Sequence, residues 1–415
     1  MTISRPLLVV TASLAFFGIG HAQQTDHFSD QRQQRYSYST FSAMSAPVVL
    51  PLTGEADWLT GLNVSLADKI FPHAHLDTVF GTASRSQEEL AVGHHDPNRD
   101  GVTIQNVEFS LSGRLDRHNE FFITYAGAVD GNDEFDPIFE EFFWKLKNLP
   151  GGIELRGGRF YNRFGLQNTY HPHGFDWVDQ YLVNGRLLGD DSLATLGGEI
   201  SWRAPVPWVS QIDAAYGEVP ANEDEEEPFD GRYNPEESHF AESVITANWT
   251  NVINYNDFHQ FRGGFSGAWG DNHANYQTSV YGAHFEYQWR ENGFDPGGRY
   301  FRVRSEAMLK RYKVEDELGI DLNPVTQEDF GCYLSALYGF GNRFEAGARG
   351  EYVPGNHETE QDARFRFSPG ITWYANDART TRLRLQYNYD HSNVFGSDHG
   401  IWAQVSLAWG GPEVR

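Results

Sequence analysis

Two short histidine motifs are the first places in the chain to look for chemistry. They are His94-His95-Asp96 and His171-Pro172-His173. Zinc takes about four ligands drawn from imidazole, thiolate and carboxylate. His94, His95, His171 and His173 would supply such a set if the two segments met in space. The plainer reading is that they cap turns and pack on aromatic rings. Overlapping the first motif, Asp96-Pro97-Asn98-Arg99-Asp100-Gly101 matches the front half of a calcium loop. The acid expected at its twelfth position is replaced by Val107. A turn rich in Asp, Asn and Gly, leading into a strand, accounts for it better. The expectation is therefore a chain with no resident cofactor, with zinc or calcium as the alternatives.

Covalent chemistry is harder to place. A hydrolase needs a Ser or Thr nucleophile beside a His that a third group orients. No G-x-S-x-G occurs, and His284 projects from a strand whose neighbours the sequence leaves open. No P-loop or dinucleotide-binding glycine pattern is present. The chain reads as a non-enzyme. Its formal net charge of −25 argues against nucleic acid as a partner.

The elements that would carry these motifs follow from hydropathy and period. Residues 1–22 read as a secretory signal peptide: Arg5, an apolar Pro6–Gly20 run, and small residues at Gly20 and Ala22. Residues 23–72 are polar and Gln/Ser-rich, and read as an irregular periplasmic leader with room for a short helix near Gly61–Ile70. No later run of about 18 apolar residues exists that could span a membrane as a helix. The single Cys332 can form no internal disulfide, whereas 11 Trp, 20 Tyr, 30 Phe and 42 Gly suit a barrel girdled by aromatics.

From 73 to 415 the period is two. In Thr381–Asp390, Leu383, Leu385, Tyr387 and Tyr389 alternate with Arg382, Arg384, Gln386 and Asn388. In Arg299–Arg311, Phe301, Val303, Ala307 and Leu309 oppose Arg302, Arg304, Glu306 and Lys310. A sandwich and a lipid-facing barrel both alternate in this way. The connections separate them, because they run long, short, long, short along the chain. The long ones include Thr82–Arg99, Gly165–Asp191, Pro220–His239, Gly270–Gln277 and Ser392–His399. Short inner turns with long outer loops are the habit of outer-membrane barrels. The expected fold is all-β: a transmembrane antiparallel β-barrel of about 16 strands with its third long loop folded into the lumen.

On that register the pore wall holds Arg114, Arg156, Arg262, Arg302, Arg304, Arg349, Arg364, Arg366, Arg382 and Arg384, with Glu108, Glu306 and Glu351 among the acids. The wall leans basic, and the acidic excess falls in loops such as Glu223–Asp230. The third loop is too apolar for disorder and too long to be a mere connection. Folded inward, it would set Tyr170, Asp176, Trp177, Asp179, Arg186 and Asp190, with Asp191, across from the arginines.

The stretch GRFYNRFGLQNTYHPHGFDWVDQYLVNGRLLGDD, preceded by HHDPNRDGVTIQNVEFSLSGRLD, resembles a bacterial outer-membrane family related to the phosphate-selective porins. Some members of that family carry names implying a zinc-linked or TonB-dependent receptor. The resemblance covers about a third of the chain. It implies a porin-like barrel in the outer membrane of a Gram-negative-type bacterium. The basic constriction set of phosphate-selective porins does not map onto this chain residue by residue. A TonB-dependent receptor needs a plug and about 22 strands, for which the chain is too short. The final strand also ends at Trp409, with Gly410 to Arg415 after it, instead of on a terminal aromatic residue.

The function expected is passive diffusion of small hydrophilic solutes or ions. The alternatives are an outer-membrane protein that captures metal or anion through loop His and Asp ligands, and a structural or adhesive barrel. The expected partners are outer-membrane lipid, the permeating solute and, by analogy with porins of this width, two further copies in a homotrimer.

Overall fold

The computed structural model describes residues 69–85, 90–129, 135–190, 192–220, 233–234, 236–295, 297–316, 323–356 and 361–410. The signal-peptide reading, residues 23–68 of the leader, the acidic run Glu223–Asp230 and Asp191 lie outside them.

Sixteen strands follow one another along the chain. They are β1 (Ile70–Ala83), β2 (Gly101–Arg114), β3 (Asn119–Val129), β4 (Phe135–Leu149), β5 (Ile153–Tyr161), β6 (Ala194–Arg203), β7 (Val209–Glu218) and β8 (Phe240–Asn254), then β9 (His259–Asn272), β10 (Gln277–Arg290), β11 (Tyr300–Val314), β12 (Val325–Gly339), β13 (Phe344–Val353), β14 (Arg364–Tyr374), β15 (Thr381–Ser392) and β16 (Gly396–Gly410). Each pairs antiparallel with its sequence neighbours. β1 and β16 close the barrel in a register running from His73 opposite Gly410 to Ala83 opposite Gly400. Closure leaves no free sheet edge, which a lipid environment requires. The barrel begins at Ile70, slightly before the boundary at 73 that its composition suggested.

Alternation sorts the two faces as the pleat demands. On β15, Arg382, Arg384, Gln386, Asn388 and Asp390 are buried inside, while Leu383, Leu385 and Tyr387 are exposed outside. The same outer surface carries Phe109, Leu155, Ile200, Trp249, Phe265, Phe285, Leu309, Leu334 and Ile371. An apolar belt exposed all round a closed barrel is the surface a bilayer covers.

Two connections expected to be long are tight turns. Half of the Gly270–Gln277 stretch is strand, with only 273–276 between β9 and β10. The backbone N–H of Asn272 donates to Tyr276 O, and Asn275 takes a left-handed φ of 59°. Asn tolerates that conformation and so allows the strands to continue to the tip. In Ser392–His399 only 393–395 separate β15 from β16, with Gly396 at φ 78°.

Four register shifts interrupt the pairing, and two of them bear on the lumen. Between β1 and β2 the pairing passes from Asp77–Asn106 to Thr78–Ile104, and Gln105 bulges. Between β3 and β4 it passes from Thr124–Glu141 to Tyr125–Phe139, and Glu140 bulges. A bulge adds one residue and re-aims a side chain. Gln105 with Asn106, and Glu140 with Glu141, are all buried despite being sequence neighbours.

Candidate functional site

The site is the third loop, residues 162–193, laid across the inside of the barrel. It leaves β5 with Arg163 pointed at β6 and β7: Nη1 donates to Ser201 Oγ and to Asp213 Oδ1, each at 2.6 Å. Asn162 donates to Thr246 on β8, and the Gly165 N–H to Ser266 on β9. Phe164 packs with Val280 and lies over Gly282 on β10. Gly165 takes a φ of 62°, and a Cβ there would come within 2.7 Å of Glu306 Oε1. Only glycine lets the chain turn this close to β11. There the Leu166 and Gln167 N–H groups both donate to Glu306.

Next comes the segment from Phe175 to Leu188. Its short helix α1 (Leu182–Leu188) has Tyr181 at its N-cap position. Trp177, Tyr181, Leu182, Val183 and Leu187 are buried against Met308, Tyr333, Leu337 and Val353 of β11 to β13. Tyr181 stacks on Tyr333 with ring centroids 3.6 Å apart, and Trp177 Nε1 donates to Ser335. Each such side chain withdrawn from water contributes about 1.5–3 kcal/mol, so the wall is where this loop gains its order.

Charge fixes the register of loop on wall. Asp176 pairs with Arg302 and with Arg304 on β11. Asp179 pairs with Arg349 on β13 and Arg366 on β14, and it also accepts from Gln386 and Asn388 on β15. Burial opposes ionisation of both acids, but the facing guanidinium pairs prevail and hold each carboxyl below the usual range. Arg384 donates to Trp177 O at 2.7 Å and Phe175 O at 2.8 Å. Arg382 reaches Phe175 O and lies 3.5 Å from Asp77 on β1. Arg186 bonds Asp329 on β12 and the carbonyls of Pro354 and Asp362 beyond β13. On the last side, Val178 packs with Val79 of β1 and Trp402 of β16, and its carbonyl accepts from Gln105 on β2.

The first long loop braces this arrangement. Both Asp96 oxygens are taken by backbone, Oδ2 from Val92 and Gly93 and Oδ1 from Gln180 at 2.7 Å. Burial, reinforced by neighbouring Asp179, pushes the Asp96 carboxyl up to about 6. Asp100 instead accepts from Thr82 and Ala83, and Asn98 donates to Val129 O. Asp96, Asn98 and Asp100 of the calcium-like motif thus take partners in three separate places.

Three of the four histidines singled out in the sequence meet at the opposite wall. His171 is fully buried: Nε2 lies 2.9 Å from Glu141 Oε2, and Nδ1 lies 2.7 Å from Glu140 Oε2 and 3.5 Å from Glu108 Oε2. His173 Nδ1 lies 2.8 Å from Glu108 Oε2, and its ring stacks on His75 at 3.8 Å. His95 Nε2 lies 3.3 Å from Glu140 Oε1. His94 stands behind His95, edge to face at 5.1 Å. His171 also meets Phe122 of β3 ring to ring. With these contacts the loop has a partner on every strand of the barrel.

Glu140, Glu141 and His75 were not among the sequence candidates, and Glu108 was read only as a wall acid. Two adjacent acids between Phe139 and Phe142 break the alternation, and that break was the available signal for a bulge. The other expected wall residues, Arg156, Arg262, Arg364 and Glu351, do face inward and are buried. Glu351 accepts from the Leu182 N–H, and Arg364 pairs with Asp390. Arg114, at the short-turn rim, is half exposed and pairs with Glu120 at 2.9 Å. Tyr170 is buried beneath the Arg304 guanidinium. Asp190, expected across from the arginines, is exposed, and its carbonyl accepts from His94 N–H. It sits past the end of α1, where the chain climbs back to β6. Arg349 is 0% and Arg366 2% exposed, because the loop lies on them. His284, the conceivable base, lies 3.3 Å from Thr250 Oγ1, and its Nδ1 has no hydrogen-bond partner among the described residues to orient it.

No protein-family model matches the chain. An uncharacterized protein of Aquifex aeolicus (strain VF5) is 22% identical over 314 residues, 69% of this chain and 63% of that protein. The chain thus spans less than two thirds of the curated relative it matches. Among solved structures it is similar to OprB of Pseudomonas putida (TM-score 0.54, 13% identity, 87% of this chain and 98% of that one). It is likewise similar to the outer membrane channel DcaP of Acinetobacter baumannii (TM-score 0.53, 7% identity, 82% and 96%). An anion-selective porin from Comamonas acidovorans gives a TM-score of 0.51 at 11% identity, covering 82% and 99%. At these identities the likeness speaks for the fold: a closed barrel of sixteen antiparallel strands, shared with outer-membrane porins.

Proposed function

We propose that this protein is a porin-like channel of the bacterial outer membrane, passing small hydrophilic solutes or ions by diffusion through a lumen that the third loop narrows to a constriction. One observation carries the reading: a closed barrel with an apolar outer belt has a single loop bonded to the inner faces of its strands around the whole circumference. A structural barrel has no need of an internal crossbar, whereas a channel needs one to choose its solute. No covalent step is required.

The charge at the crossbar favours small anions. Asp176 and Asp179 neutralise much of the wall, but the hydrogen bonds of Arg384 go to neutral oxygens of Phe175, Trp177, Gln404 and Thr372. That leaves the Arg384 guanidinium with no carboxylate among these partners, although the chain as a whole carries −25. Local charge at a constriction outweighs distant loop charge, which salt screens beyond about 8 Å.

Planar-bilayer recording tests the proposal. Wild-type protein should give small ohmic steps with a reversal potential of anion sign in a KCl gradient. Arg382→Gln with Arg384→Gln should move that potential toward zero. A variant in which residues 167–190 are replaced by a short Gly/Ser linker should conduct several times more. Inserted barrels that pass no current in either form would end the channel reading.

A further inference from the structure

The lumen sorts its cations by chemistry. Along β11 to β15 the buried carboxylates face guanidinium groups, as Asp176, Asp179 and Asp390 do. Beside β2 and β4, three buried carboxylates, Glu108, Glu140 and Glu141, face imidazoles. They also accept from neutral groups: hydroxyls of Ser110 and Thr124 and the side-chain amide of Asn106 on Glu108, and the Tyr161 N–H on Glu141. Three buried negative charges facing imidazoles are balanced only when the rings take up protons or a cation joins them.

The hydrogen-bond geometry of His171 shows where the balance comes from. Glu141 can only accept, so the 2.9 Å contact puts the proton on Nε2. In the neutral ring Nδ1 then carries the lone pair, and it lies beside two carboxylate oxygens, Glu140 Oε2 at 2.7 Å and Glu108 Oε2 at 3.5 Å. Apart from this contact, Glu140 Oε2 has no hydrogen-bond partner among the described groups. Three lone-pair donors thus converge on one point within 4.8 Å of one another. Ligands of a tetrahedral ion, each about 2 Å from it, stand about 3.3 Å apart. Glu141 behind His171 supplies the outer carboxylate that fixes a metal-binding tautomer. His95 supports Glu140 from the other side at 3.3 Å. The bulge at Glu140 is what allows two successive residues of β4 to serve as ligand and as outer support.

We propose that Glu108, Glu140 and His171 bind one divalent first-row transition ion, with a fourth position open toward His173. Mixed imidazole and carboxylate donors suit zinc and its neighbours, whereas calcium and magnesium take oxygen alone. His173 and His95 are 15% and 13% exposed at their side chains, so the ion has a route in past them. The bound ion ties the third loop to β2 and β4. The site stands whether or not the barrel conducts.

The test uses full-chain protein folded in detergent, stripped with chelator and titrated with Zn2+ by calorimetry, with metal content measured after gel filtration. The expected result is one Zn2+ per chain, not displaced by excess Ca2+. Glu108→Gln combined with Glu140→Gln should weaken binding at least about 100-fold, Glu141→Gln should cost roughly 10- to 100-fold, and His94→Ala should change nothing. Heat-modifiable migration on gels reports that each variant has folded. Should the ligand variants not fold, wild-type protein loaded with Co2+ decides instead. Tetrahedral d–d absorption bands support the site. Their absence overturns it, as does a stripped wild-type chain that takes up no Zn2+ or a folded double variant that binds as well as wild type.

Discussion

Asp179 is the residue on which the loop turns. It lies against two guanidinium groups and two side-chain amides from three strands, all buried. Removing one partner of a buried pair leaves the other charge uncompensated and costs about 3–5 kcal/mol. Asp179→Ala should lower the unfolding free energy of the barrel by that order, read as a lower urea midpoint, and raise single-channel conductance. Asp96 makes a separate, pH-dependent contribution. Its carboxyl moves from 3.8 to about 6 on folding. Between those values the folded protein holds more proton than the unfolded chain, so stability falls as pH rises through that window and is level above it. Asp176 and Asp179 shift downward, so their contribution is lost only below the ordinary carboxylate range. Relative to an Asp96→Asn variant, wild-type protein should therefore lose melting temperature between pH 4.5 and pH 7. Equal slopes in the two proteins would remove Asp96 from the account. The pairing of Asp176 and Asp179 with arginine was legible as a class of contact from charge and register. Which arginine each meets was not, because partners lie more than a hundred residues away.

At the scale of elements, the third loop and the two bulges form one device. Gln105 and Glu140, the bulged residues, both reach loop contacts: Gln105 to Val178 O, and Glu140 to His171. Helix α1 is short and would not persist alone in water. It is held because Val183 nests over Gly331 of β12, where a Cβ would come within 2.7 Å of Val183 Cγ2. Gly331→Leu should lift α1 from the wall at a cost of about 1–3 kcal/mol. Hydrogen exchange of the Leu182–Leu188 amides should then quicken while the β12 amides stay protected. Unchanged exchange would mean that α1 is held elsewhere. Loop lengths were partly legible. Two turns were overestimated because Asn and Gly runs look alike in a loop and at a tight strand tip.

The whole molecule answers to two solvents. Its outer belt is apolar, and its lumen holds the charged and polar side chains. A charge placed on the lipid face near mid-height, as in Leu385→Arg, should cost about 2–4 kcal/mol in folding into vesicles. Arg384, one residue earlier, is buried on the opposite face without harm. Measuring both Leu385→Arg and Arg384→Leu would separate face from residue type. If the two positions tolerated Leu and Arg equally, the assignment of faces would fail.

The period-two pattern, the alternation of most connections and the aromatic content were enough to determine a membrane barrel of about sixteen strands, because which residue faces lipid is settled by local periodicity. They also determined that the third loop needed a surface to bury itself against. Tertiary structure alone decided which surfaces it met. His95, His171 and His173 come together with Glu108, Glu140 and Glu141 only because closure brings β1 to β4 opposite the loop, and because bulges at Gln105 and Glu140 turn neighbouring side chains to the same side. A bulge is one residue of register, set by pairing across strands, and no window of sequence contains both partners of that pairing.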